Sequence, residues 1–92
     1  MRKFRIEERL EKILIKLEKK NKTLYNQLKK KINEILNSEN VEHYKNLRHD
    51  LSEFKRAQVG HFVLIFRYHK KDDIISFEDF DHHDKIYFKR YG

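Results

Sequence analysis

Three features of this sequence predict an α+β fold, a helical hairpin packed on a small antiparallel β-sheet in the order β-α-α-β-β-β. Two consecutive stretches place apolar residues at helical spacing, an almost unbroken apolar run follows, and a polar turn then leads into an alternating run. The first stretch, Glu7 to Lys20, repeats Leu10, Ile13, Leu14 and Leu17; the second, Thr23 to Asn37, repeats Leu24, Leu28, Ile32, Ile35 and Leu36. The polar link KKNKT between them is short enough for an antiparallel hairpin and offers Asn21 or Thr23 as the second N-cap. NSEN, residues 37 to 40, ends the helical pattern.

The run HFVLIFRY, His61 to Tyr68, is rich in β-branched and aromatic residues and predicts a central strand covered on both faces. HKKDD, His69 to Asp73, is a polar turn, and IISFEDF, Ile74 to Phe80, sets Ile75 and Phe77 on one face opposite Ser76 and Glu78. A third strand is expected within Leu51 to Val59, turning at Gly60, and Phe4 with Ile6 predicts a short first strand. Residues 1–92 therefore form a single expected domain, without repeats or linkers.

Charged residues make up 40% of the chain and hydrophobic ones 38%, a balance that leaves enough aromatic and aliphatic surface to fold around a thin core. No apolar run approaches the roughly 18 residues of a membrane span, and the N-terminus has no signal-peptide core, so a cytoplasmic protein without a membrane partner is expected. The absence of cysteine removes disulfides and thiolate metal sites. The net charge of +7 is concentrated early: residues 1 to 50 hold 14 basic and 8 acidic side chains, against 8 and 7 in the remainder. Such an excess suits a polyanion partner, and equally a solvated lysine-rich helix face; the run Lys29, Lys30, Lys31 admits both readings.

The most chemically loaded stretch is FDHHDKIYF, Phe80 to Phe88, with two histidines between two aspartates. Its spacing matches no recognised ligand set, so no metal or other cofactor is expected. Neighbouring residues of an extended segment point to opposite faces, so only one of His82 and His83 is expected at any one site. Phe62, Phe66, Tyr68 and Phe77 are expected in the core, leaving Tyr87 and Tyr91 as the candidates for stacking on a base.

The order of these parts, together with three short stretches, resembles the RelE/ParE superfamily of type II toxins over essentially the whole chain. Asn46, Leu47 and Arg48 resemble the family's Lys-Leu-Arg; Val59 to Phe66 resembles its Val-Gly-x-Tyr-Arg strand; His82 to Tyr87 resembles its terminal His-Arg-x-x-Val-Tyr. The resemblance, with RelE-like and YafQ-like features, implies a toxin that enters the ribosomal A site and cleaves mRNA there. It implies a RelB-like antitoxin bound as a heterodimer or heterotetramer, and a 70S-type ribosome with its mRNA and rRNA as the target.

Cleavage through the RNA's own 2′-hydroxyl calls for groups that move protons and for cations that hold the phosphate. His83 and Tyr87, with Lys55, Arg56 and, in reserve, His82, are the candidate catalytic set. Arg48, His61, Lys85, Arg90 and Lys29 to Lys31 are the candidate RNA contacts. The chain departs from the family in having Val63 in place of a strand arginine, His83 in place of an arginine, and Gln58 where the YafQ-like branch has a histidine; His61, His82 or His49 are the substitutes at hand. A non-catalytic ParE-like gyrase poison and a basic RNA-binding module of the same fold are the alternative readings.

Overall fold

The computed structural model describes residues 2–47 and 53–86. Its elements run β1 (Lys3–Ile6), α1 (Glu8–Lys20), α2 (Lys22–Leu36), a 3-10 turn (Val41–His43), β2 (Lys55–Val59), β3 (Phe62–His69), β4 (Ile74–His82) and a single helical turn α3 (His83–Ile86). The α+β architecture is the one the sequence predicts, with both long helices within two residues of their expected bounds. Asn21 is the cap: its side chain accepts the Leu24 amide at 3.2 Å, which satisfies one of the unpaired N–H groups at the start of α2.

The four strands lie in the order β1-β4-β3-β2. β2, β3 and β4 are an antiparallel meander, whereas β1 lies parallel to β4, so the sheet is mixed rather than wholly antiparallel. The helical hairpin is the reason, since it carries the chain from β1 to the opposite edge of the sheet and frees β1 from the antiparallel geometry of a tight turn. The register sets Phe4 beside Ile75 and Ile6 beside Phe77, which turns the alternating apolar residues of β1 toward the helices. Phe4 meets Phe77 edge-on, with ring centroids 6.3 Å apart.

β3 has neighbours on both sides, and Val63, Leu64, Ile65 and Phe66 are all buried. Leu64 and Phe66 join the main core with Leu10, Leu28, Ile32, Ile35, Ile75, Phe77 and Phe80. Val63 and Ile65 join a second, smaller cluster with Leu47, Phe54 and Ile86 on the other face. An unbroken apolar run is what such a strand needs, because alternation would leave one covered face polar.

One irregularity changes the faces of β4. Ile65 pairs with Asp79 but Phe66 pairs with Phe77, so Glu78 is an extra residue in β4, a bulge. Before it the odd-numbered residues face the helices; beyond it the even-numbered ones do. Phe80 therefore enters the main core beside Leu64, and His82 comes opposite Phe62.

Candidate active site

The β2–β3 turn, the end of β4 and the first turn of α3 enclose a cleft of about 830 Å³, closed on the other side by Lys31 of α2 and by residues 43 to 45. Gly60 makes the turn possible: its φ of 61° lies in the left-handed region that glycine adopts at little cost. The cleft wall carries Lys31, Lys45 and Arg56, four histidines (His43, His61, His82 and His83), the aromatic rings of Tyr44 and Phe62, and one carboxylate, Asp84. Its charge is thus basic, and imidazoles are its commonest polar group.

Each wall is fixed from the backbone. The His83 amide donates to the carbonyl of His61 at 3.1 Å, which binds the start of α3 to the β2–β3 turn. Gln58 folds its amide onto the carbonyl of Gly60 at 2.9 Å and supports the same turn. On the far wall, the Lys55 ammonium donates to the Tyr44 carbonyl at 3.2 Å and to Asn46 Oδ1 at 3.1 Å, while the Arg56 amide donates to the Lys45 carbonyl at 2.9 Å. His43 Nδ1 donates to the Asn40 carbonyl, and its ring lies 4.2 Å from that of Tyr44. Partial burial, and then the charge of Glu34, push the Tyr44 hydroxyl pKa above its ordinary value, so the phenol stays protonated well beyond neutral pH.

Aromatic rings line the sheet wall. Phe80 and Phe62 stack with centroids 5.0 Å apart and planes 13° from parallel. The imidazole of His82 follows on Phe62 at 4.2 Å, tilted by 32°.

Of the residues singled out in the sequence, the cleft brings together His83, His82, Arg56, His61 and Lys31. His82 and His83 both line it, contrary to the strict alternation expected of an extended segment, because the strand stops at His82 and a helical turn begins at His83. His83 Nδ1 approaches Asp84 Oδ1 at 3.7 Å, with both side chains largely exposed. Lys55 lies outside the lining and supports the wall instead. Lys85 is exposed on α3, and Lys29 and Lys30 are exposed on α2, where the Lys29 ammonium lies over the Tyr25 ring at 5.3 Å. Arg48, His49, Tyr87, Arg90 and Tyr91 lie outside the described residues. Phe66 and Phe77 are core residues as expected, whereas Phe62 is only half-buried and reaches the cleft.

Sequence reasoning missed His43, Tyr44 and Lys45, although a histidine, an aromatic residue and a lysine in succession just after the helices were a readable signal. Among the described residues, no three histidine, aspartate or glutamate side chains gather as a metal site.

No family model matches the chain. The crystal structure of the intact E. coli RelBE toxin-antitoxin complex superposes with a TM-score of 0.67 over 89% of this chain and 96% of that one, at 19% identity. The isolated E. coli RelE toxin does so with a TM-score of 0.65 over 89% of this chain and 84% of that one, at 18% identity. These structures share the fold. In sequence, the Methanocaldococcus jannaschii protein that bears the toxin name RelE4 is 46% identical over 82 residues, 88% of this chain and 85% of its own. That identity, along most of both chains and on a shared fold, places this protein in the RelE family of toxins.

Proposed function

We propose that this protein is a ribosome-dependent mRNA endonuclease that stops translation by cutting mRNA in the ribosomal A site. The observation that carries the reading is the convergence of His61, His82, His83 and Arg56 on one basic cleft in a RelE-family chain. In the proposed reaction one imidazole takes the proton of the 2′-hydroxyl as that oxygen attacks the phosphorus. A second group gives a proton to the departing 5′-oxygen, leaving a 2′,3′-cyclic phosphate. His83 is assigned one of these roles, and His61, whose carbonyl accepts the His83 amide at 3.1 Å, is put forward for the other. Tyr87, which follows α3 in sequence, keeps the role expected of it from the sequence, stacking on a base or helping proton transfer. Arg56, Lys45 and Lys31 hold the phosphates, supplying positive charge where the pentavalent phosphorus builds up negative charge. The ribosome supplies the orientation of the strand, so modest acid and base groups suffice.

A RelB-like antitoxin, in a heterodimer or heterotetramer, belongs to the same reading, as does action in the cytoplasm, where the ribosomes are. A second hollow of about 370 Å³, lined by Phe4, Ile6, Leu14, Tyr25, Ile32 and Leu36 beside the edge strand β1, suits an amphipathic segment of that partner. The chain's charge of +7 favours an acidic one. Among the described residues no helix is long and apolar enough to cross a membrane.

The test is controlled expression followed by mapping of mRNA 5′ ends. Cuts within A-site codons are expected, with His83→Ala lowering cleavage by roughly 10²- to 10⁴-fold. Intact mRNA during full growth arrest overturns the reading.

A further inference from the structure

We propose that the ring series Phe80, Phe62, His82 is a nucleobase-stacking slot, in which His82 presents an imidazole face to one unstacked RNA base. The inference rests on the RNA-directed reading above and adds a subsite to it. Exposure rises along the series: Phe80 is buried in the main core, Phe62 is half-buried and His82 is exposed. Phe62 covers one side of the imidazole at 4.2 Å, and the ring stands on the cleft wall. A ring held from behind and open to a cleft is what a base needs, since every base has a π-face and stacking on aromatic side chains requires no particular sequence.

The platform is also fixed before any ligand arrives. Phe62 and His82 are register partners in the β3–β4 ladder, and the His82 amide donates to Asp81 Oδ1 at 2.7 Å. The adjoining amide of His83 is held by the His61 carbonyl. Little ordering is therefore left for binding to offset. Lys31, Lys45 and Arg56 share the cleft, so phosphates on either side of a stacked base would meet cations. If the series served the core alone, it would gain little by ending in an exposed histidine.

Binding of the full-length chain to oligoadenylate and to an abasic ribose-phosphate strand of equal length and charge tests the slot. The wild-type protein should prefer oligoadenylate. His82→Ala should weaken oligoadenylate binding by roughly 5- to 100-fold and leave the abasic strand unaffected, and His82→Tyr should restore the preference. Equal wild-type affinity for the two strands, or binding to neither, overturns the slot. So does an equal loss on both strands in His82→Ala, which would make His82 a phosphate contact. The outcomes separate the slot from the cleavage reading: base preference with uncut mRNA removes only the latter, and cut mRNA without base preference removes only the former.

Discussion

The two ends of the sheet differ in what their polar side chains are grouped around. At the end where β3 turns into β4, they are engaged with one another. Arg2 donates to the carbonyls of Leu36 at 3.4 Å, Ser38 and Glu39 at 3.3 Å, and its Nε donates to Asp73 at 2.9 Å. The Tyr68 hydroxyl donates to the same carboxylate at 2.8 Å. This clasp joins β1, the turn and the C-terminal end of α2, and gives a donor to the Leu36 carbonyl, one of the last-turn carbonyls that have no partner within the helix. At the cleft end, cationic and imidazole groups stand around a hollow. Even the turns differ. Both contain a left-handed residue, but the cleft uses Gly60 at φ 61°, whereas the clasp holds Asp73 at φ 52° with two side chains. One end ties the fold together, and the other gathers basic and imidazole groups around an open cleft.

The largest effect expected from breaking this contrast is that of Arg2→Ala. It should destabilise the fold by roughly 1–3 kcal/mol, because several carbonyls and a carboxylate lose a charged donor, and the loss should appear in equilibrium denaturation. A change within about 0.5 kcal/mol would show that the clasp is no more than ordinary surface. Next in size is Gly60→Ala. Nothing lies within 4 Å of the added Cβ, so the cost is that of the left-handed backbone alone, about 1 kcal/mol. A much larger loss of stability would mean that the turn tolerates no rearrangement.

The smallest effect is one of pH. The hydrogen bond from Tyr68, and then Arg2, hold the Asp73 carboxyl pKa below its ordinary value of 3.8. A pKa lower in the folded chain than in the unfolded one means that Asp73 stabilises the fold above the ordinary value and loses that contribution as pH falls through the depressed one. Tyr68→Phe should therefore lower stability near neutrality and flatten the acid limb of a stability-versus-pH curve, so that the variant and wild-type curves converge at low pH. An unaltered acid limb would remove Tyr68 from the clasp.

Much of this was legible because it depends on local pattern. Leu10, Ile13, Leu14 and Leu17 recur at helical spacing, and such a stripe is stable only when packed against something apolar. The run His61 to Tyr68 announced a strand buried on both faces, which β3 is. The candidate site was read less completely. His83, His82, His61, Arg56 and Lys31 meet as a group, but Lys55 was read from its charge, and its ammonium is engaged with the Tyr44 carbonyl and Asn46. His43 to Lys45 reach the cleft only because that segment folds back against β2, a contact between residues about ten positions apart that no periodicity reports.

By itself the sequence determined the element order, the helical hairpin, the doubly covered strand and the family, since hydrophobic period, turn residues and local motifs are properties of neighbours along the chain. Tertiary structure alone decided the direction of β1 and the facing of β4. A parallel edge strand pairs across 71 residues, from Lys3 to Ile74, beyond the reach of any window. The bulge at Glu78 shifts the alternation by one residue, and whether a strand takes such an extra residue depends on which partner its two halves must match. That one-residue shift sends Phe80 into the main core and sets His82 on Phe62 at the cleft wall.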